Sequence, residues 1–259
     1  MGTSQPLVSF ICPTGDRAVL LRRALLYMRS QDLTEPWEAV IVDGGRRSAS
    51  TILELSDRYG DERFRLVRVD PSTTLGTRRN VACEAALGSV IIHIDDDDWY
   101  APAYARRELA ALEHADLVSV RLCWCYHPTK QRGWRINAKM EGNWGGNAMA
   151  YRRELWKKIG GYPDANLSED RRFIEKVDAA GYRLNHYEGS EELVVHMRHR
   201  FNVTGPTDPI IDPAATAKVR SILGDDVHFY DDLAELVGEA QRAAEIGPLW
   251  HLPAPQRAF

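Results

Sequence analysis

No run of about 18 apolar residues occurs in this sequence, so no segment is expected to cross a membrane as a helix. The opening residues, MGTSQPLVSF, lack both a basic leader and a long apolar stretch. They show no secretory signal, and a cytoplasmic location is expected. Positive charge is not in excess either. With 33 Lys and Arg against 37 Asp and Glu the formal charge is -4, which argues against nucleic acid as a partner. Arginine pairs such as Arg22-Arg23, Arg78-Arg79, Arg152-Arg153 and Arg171-Arg172 are spread along the chain and form no basic block. Cysteine is scarce. The spacing of Cys12, Cys83, Cys123 and Cys125 fits neither a zinc ribbon nor a Cys-x-x-Cys redox pair, and a reducing compartment suits them. Glycine-rich phosphate loops are missing as well. Pro13-Thr14-Gly15-Asp16 stands where G-x-G-x-x-G would follow a first strand, and no Walker A sequence is present.

What the sequence does contain is an alternation of short apolar runs with helical stripes. Residues 7–12, 39–42, 64–69 and 90–94 read as strands, and 18–29, 51–59 and 78–86 as helices between them. Leu20, Leu21, Ala24, Leu25 and Met28 recur at helical spacing in the first helix. This order predicts a parallel, doubly wound α/β sheet with right-handed crossovers. From about residue 116 the pattern changes. Residues 117–124 and 134–136 read as strands of a mixed sheet, followed by a corner at Gly142, Gly145 and Gly146. Helices at 153–159 and 169–180 and strands at 183–187 and 193–197 come next. Beyond Pro206, Pro209 and Pro213 the chain reads as a linker and two helices. The last carries Leu233, Leu236, Val237, Ala240, Ala243 and Ala244 as a packing face, for the core or for a second copy in a homodimer.

The most informative stretch is Asp95-Asp96-Asp97-Asp98, directly after the apolar run Val90-Ile91-Ile92-His93-Ile94. Chain direction puts these carboxylates at the C-terminal edge of a buried strand, where open α/β sheets bind ligands. Two carboxylates about 5 Å apart repel by roughly 3 kcal/mol at an effective dielectric of about 20. Such a cluster asks for a cation, and its hard oxygens suit Mg²⁺ or Mn²⁺. Trp99-Tyr100-Ala101-Pro102 behind it argues against a solvated acidic loop.

Five segments together resemble the family 2 glycosyltransferases of GT-A fold, over roughly residues 7–204. They are Val8-Ser9-Phe10-Ile11-Cys12-Pro13-Thr14-Gly15-Asp16-Arg17, Ala39-Val40-Ile41-Val42-Asp43-Gly44-Gly45, and Arg79-Asn80 with Ala85-Ala86-Leu87-Gly88. The other two are the aspartate run with its trailing proline, which matches a D-x-D segment, and Gly160-Gly161-Tyr162-Pro163 with Ser168-Glu169-Asp170. The resemblance implies a GT-A domain over residues 1–205, with a nucleotide half (1–115) and an acceptor half (116–205), and a tail over 206–259. It implies an inverting transfer of sugar from a nucleoside-diphosphate sugar to an acceptor hydroxyl, with Mn²⁺ or Mg²⁺ as cofactor. Pro13, Thr14, Asp16, Asp43, Gly44, Arg79, Asp95 and Asp96 fall at donor-binding positions. Asp97, Asp95 and His199 fall at metal positions, with His199 preferred over His196.

Asp170 is the expected general base, at the start of a helix that Ser168 could cap. Asp98 reads as a cap for a helix near Pro102. Trp124, Tyr126, Trp134 and Trp144 offer apolar faces on which a sugar could stack. One departure is clear: the family's second aspartate after the second strand, which often reads uracil, is Gly44 here, so the base pocket is uncommitted to uracil. A sugar nucleotidyltransferase is the alternative enzyme, but it calls for a glycine-rich basic loop that residues 13–16 do not supply. A non-catalytic nucleotide-sugar-binding relative is the alternative outside enzymes.

Overall fold

A computed structural model describes residues 5–46, 61–120, 124–135, 146–187, 192–199, 202 and 211–233. The expected helix at 51–59, together with Cys123, Gly142, Trp144, Gly145 and the stripe beyond Leu233, lies outside the described residues.

Strands β1 (Val8–Thr14), β2 (Trp37–Asp43), β3 (Phe64–Arg68) and β4 (Val90–His93) pair in parallel, with β1 between β2 and β4 and β3 outside β2. Strand β9 (Met149–Arg152) lies antiparallel between β4 and β6 (Leu117–Val120), and β10 (Leu184–Tyr187) closes the edge parallel to β6. The result is a seven-stranded mixed sheet of order β10-β6-β9-β4-β1-β2-β3.

The period of two along the buried strands sorts side chains onto two faces. Phe10, Ala39, Ile41 and Ile92 enter one apolar cluster with α1 (Ala18–Arg29) and α3 (Tyr104–Ala111). Ile11, Val40, Val42 and Ile91 enter the other, under α2 (Leu75–Ala85), α4 (Arg153–Ile159) and α5 (Glu169–Ala179). Helix α2 begins three residues before the position read from its apolar stripe. Thr74 is the reason: its side chain accepts from the backbone of Thr77 and caps the helix, drawing Arg78 and Arg79 into its first turns.

The run 117–124 divides. Its first part is β6; Trp124 opens β7 (Trp124–His127), which belongs to a second, four-stranded sheet of order β5-β11-β7-β8. There β5 is Trp99–Tyr100, β8 is Arg132–Arg135 and β11 is Val194–Met197. Trp124, Tyr126 and Trp134 are buried in this region, so their rings are packing surface. The tail helices α6 (Pro213–Leu223) and α7 (Asp226–Asp231) dock on the same side. Thr216 Oγ1 lies 3.0 Å from the backbone nitrogen of Gly133 and 3.1 Å from its carbonyl oxygen, and a Cβ at Gly133 would sit 2.7 Å from Val219. Asp226 accepts from Arg23 of α1 and, at 2.8 Å, from Trp99 Nε1. Among the described residues no helix is long and apolar enough to cross a membrane.

Candidate active site

The C-terminal ends of β1, β2 and β4 share the sheet edge that carries the acidic run, and each of its carboxylates has a fixed partner. Thr14, the last residue of β1, donates its hydroxyl to Asp96 at 2.6 Å. Arg17 follows three residues on and spans two acids, with Nη2 2.8 Å from Asp96 Oδ1 and Nη1 2.8 Å from Asp97 Oδ2. Asp95 faces the other way, toward Arg79 of α2, at 3.1 Å and 3.3 Å.

Burial and neighbouring charge act differently on Asp95, Asp96 and Asp97. Burial is the largest influence on Asp95 and pushes it up to about 6 against the pull of Arg79. Burial also raises Asp96, with Arg17 opposing and Asp97 adding repulsion. Asp97 is the exception. Burial works against its charge, but Arg17 and His199 override it and hold this carboxyl well below the usual range. Of Asp95, Asp96 and Asp97, Asp97 is therefore the one whose partners favour the carboxylate.

The expected metal positions separate into two groups. Asp97 Oδ2 and His199 Nε2 face each other at 3.5 Å, both nearly buried, and Asn202 Nδ2 approaches the same oxygen at 3.2 Å. Asn202 also accepts from the backbone nitrogen of His199 at 2.5 Å, which shapes the turn that carries the imidazole. Asp95 is turned to Arg79, and no group of three or more His, Cys, Asp or Glu side chains among the described residues forms a metal cage. A carboxylate with an imidazole still fits a divalent ion, because Mg²⁺ at phosphate-transferring sites takes one or two carboxylates and fills its shell from water and substrate phosphates. Mn²⁺ accepts the additional nitrogen readily.

Asp98 does not cap a helix. Helix α3 starts at Tyr104 behind Ala103, with no side-chain cap. Instead Asp98, 1% exposed, accepts from the backbone of Met197 at 2.8 Å, from His196 and from Asn147 Nδ2. It ties β4 to β11 and so fixes the turn that carries His199. Asp98→Ala strands a backbone N–H and an imidazole. The expected cost is about 3 kcal/mol or more, read as a lower urea midpoint at unchanged slope; an unchanged midpoint would show the anchor to be dispensable.

On the acceptor side, Glu169 is buried and pairs with Arg79 at 3.2 Å, so one guanidinium bridges Asp95 and the start of α5. Beneath it, His93 contacts Arg79, the Gly146 carbonyl and the hydroxyls of Tyr151 and Tyr162. Burial and Arg79 keep His93 neutral, well below the usual histidine range. Asp170 is half-buried. A Cβ at Gly146 would lie 1.8 Å from its Oδ2, so only glycine leaves room for this carboxylate. Ser168 stands at the cap position with φ 58 and makes no side-chain cap bond. The loop before α5 is held from α2 instead, where Thr74 and Thr77 donate to Asp164 and the backbone of Leu75 to Asn166.

At the β2 edge, Asp43 accepts from the Gly45 backbone at 2.7 Å and pairs with Arg68. Asp16, with φ 53, accepts from the Arg46 backbone at 3.1 Å. Pro13 is in register with Val42 and Thr14 with Asp43, so the first loop and Gly44 share one edge. Arg78 and Asn147 are site neighbours that the sequence motifs do not single out, while Arg17 and Glu169 stand inside the motifs without a site role assigned to them. Arg17 had one signal, a cation three residues beyond the first strand at the edge where four acids gather.

The sequence matches the profile of Glycosyl transferase family 2 over residues 9–177. It is 33% identical over 116 residues to EpsH of Bacillus subtilis (strain 168), covering 44% of this chain and 33% of that protein. It is 32% identical over 99 residues to WcaA of Escherichia coli (strain K12), covering 38% and 35%. Both relatives are named as glycosyltransferases, the second in colanic acid biosynthesis, and the matches span about a third of each relative's length. The mannosyltransferase PcManGT from Pyrobaculum calidifontis, solved in complex with GDP-Man and Mn²⁺, superposes with a TM-score of 0.60 at 18% identity, over 95% of this chain and 77% of that one. S. aureus TarS 1–349 in complex with UDP-GlcNAc gives 0.60 at 20% identity, over 83% and 65%. At these identities the likeness is one of fold, and the fold is GT-A. The profile match runs from β1 almost to the end of α5, through every strand end that carries the acidic site, and the chain belongs to glycosyl transferase family 2.

Proposed function

We propose that this chain transfers a sugar, with inversion, from a nucleoside-diphosphate sugar to an acceptor hydroxyl, with Asp170 as general base and Asp97 as the principal metal ligand. The observation that carries this reading is the buried, ionised Asp97 facing His199 at 3.5 Å at the C-terminal end of β4. The relatives named as glycosyltransferases, and the fold neighbour solved with GDP-Man and Mn²⁺, support it. A Mn²⁺ or Mg²⁺ ion at Asp97 and His199 supplies Lewis-acid stabilisation of the charge that develops on the leaving diphosphate.

The chain's own residues do the rest. Arg17 and Thr14 hold Asp96 and Asp97 in place for the donor, and Arg79 holds Asp95 beside it. Asp170 takes the acceptor proton while the acceptor oxygen bonds to the anomeric carbon and the bond to the diphosphate oxygen breaks. Approach from the face opposite the leaving group inverts that carbon. Residues 1–205 form the transferase unit in this reading, 1–115 serving the nucleotide and 116–205 the acceptor, with 206–259 as its tail. Asp16, Asp43, Gly44 and Pro13 line the nucleoside side.

The test is product analysis with a panel of nucleoside-diphosphate sugars and Mn²⁺. Release of nucleoside diphosphate above a protein-free control is the expected result. Pyrophosphate release would assign nucleotidyl transfer instead, and donor binding without any turnover would leave a non-catalytic relative.

A further inference from the structure

Three glycines meet at the C-terminal edge of β1 and β2, and none has free space for a side chain. A Cβ on Gly44 would lie 2.4 Å from Cζ of Arg78 and 2.5 Å from its Nε and Nη2. One on Gly15 would lie 3.1 Å from Arg78 Nη1, and one on Gly45 would lie 2.5 Å from the backbone nitrogen of Asp16. The guanidinium of Arg78 therefore fills the volume that a side chain at position 44 would take. It is held there on three sides. Nε donates to the Thr73 carbonyl at 3.0 Å, Nη1 to the Thr14 carbonyl at 3.1 Å and Nη2 to the Pro71 carbonyl at 3.2 Å. A guanidinium carries five N–H groups. One on each terminal nitrogen is left without a partner among the described residues.

The position fits a nucleobase. Thr14, whose carbonyl holds Arg78, holds Asp96 with its hydroxyl. Strand β2 lies two strand spacings from β4, about 10 Å away. A nucleotide with its diphosphate at the aspartates reaches Gly44 with its base. Resting on the glycosyl-transfer reading above, we propose that Arg78, admitted by Gly44, reads a guanine base, so that the donor is a guanosine-diphosphate sugar. The N–H groups left on the two terminal nitrogens can serve the neighbouring O6 and N7 acceptors of guanine. Adenine presents an acceptor beside an amino donor on that edge, and uracil places an N–H between its two carbonyls.

Calorimetric titration of GDP, UDP, ADP and CDP in excess Mn²⁺, on the full chain and on Arg78→Lys and Gly44→Ala, tests this. The parent should bind GDP at least about tenfold more tightly than the others, the value of one bidentate base contact. Arg78→Lys keeps the charge and loses the fork, and Gly44→Ala pushes the fork aside. Each should weaken GDP by about tenfold to a hundredfold while UDP changes by less than about threefold. A parent that prefers UDP, ADP or CDP overturns the inference. So does an equal loss for all four nucleotides, which would make Arg78 a phosphate contact. Binding without guanine preference sinks this inference alone, whereas no binding of any nucleoside diphosphate removes the transferase reading with it.

Discussion

Asp97→Ala should abolish divalent-cation binding and lower the transfer rate by at least about a thousandfold, since a Lewis acid contributes several kcal/mol to charge stabilisation and each 1.4 kcal/mol is about tenfold. The expectation comes from charge distribution. Asp97 is the acid of the run that Arg17 and His199 keep ionised against burial, and its Oδ2 faces His199 Nε2. Asp95 is committed to Arg79, and Asp96 to Thr14 and Arg17, so neither takes over the position. The fold should survive the change, because Arg17 keeps its 2.8 Å pair with Asp96 and a like-charge repulsion is removed. Mn²⁺ titration, initial rates at saturating donor and thermal melting separate these effects. Full turnover by the variant, or by the parent in excess chelator, would sink the metal assignment.

How much of this was legible follows from how local each determinant is. The strands β1, β2 and β4 and helix α1 announce themselves in β-branched runs and a helical stripe, because burial on both faces of these strands leaves a continuous apolar signature. Local capping chemistry was legible but passed over: Thr74 is three residues before Thr77, and this pair sets the start of α2 earlier than the apolar stripe does. Long-range pairing was not legible. Nothing in residues 149–152 says that they insert antiparallel between β4 and β6, and nothing at Trp99-Tyr100 says that two residues start a second sheet with β11.

The candidate site shows the same division. Asp95 to Asp98 could be placed at a strand end from chain direction alone, yet the partners of Asp96 and Asp97 come from 79 to 102 residues away in Arg17, Thr14 and His199. Asp98 illustrates the error this causes. Beside Trp99 and Pro102 it reads as a helix cap, while its hydrogen bond to Met197, 99 positions along, makes it the anchor of the His199 turn. Gly44 reads as a missing acid until Arg78 is seen in its place.

Asp170→Asn should bind donor and cation nearly as the parent does, melt at a similar temperature, and lose at least about a hundredfold in transfer rate. The two roles open to this carboxylate differ in what they contribute. As a charge in the first turn of α5 it adds under about 1 kcal/mol, to stability alone. As a general base it contributes about 10²- to 10⁴-fold to the chemical step. The structure supplies reasons to expect the second. A glycine at 146 is required for Oδ2 to lie where it does, and the same glycine's carbonyl is fixed by His93. The neighbouring Glu169 is buried on Arg79, which also holds Asp95, so one guanidinium ties the start of α5 to the acidic run. Glu169 is thereby occupied, and the half-buried Asp170 is the other carboxylate at this helix start, the one expected to meet an incoming hydroxyl. Asparagine preserves its shape and its hydrogen-bond acceptor while removing its ability to take a proton. A variant that kept its rate but lost melting temperature would make Asp170 a helix-terminus charge. The proton would then have to leave through Glu169, and Glu169→Gln would carry the rate loss instead.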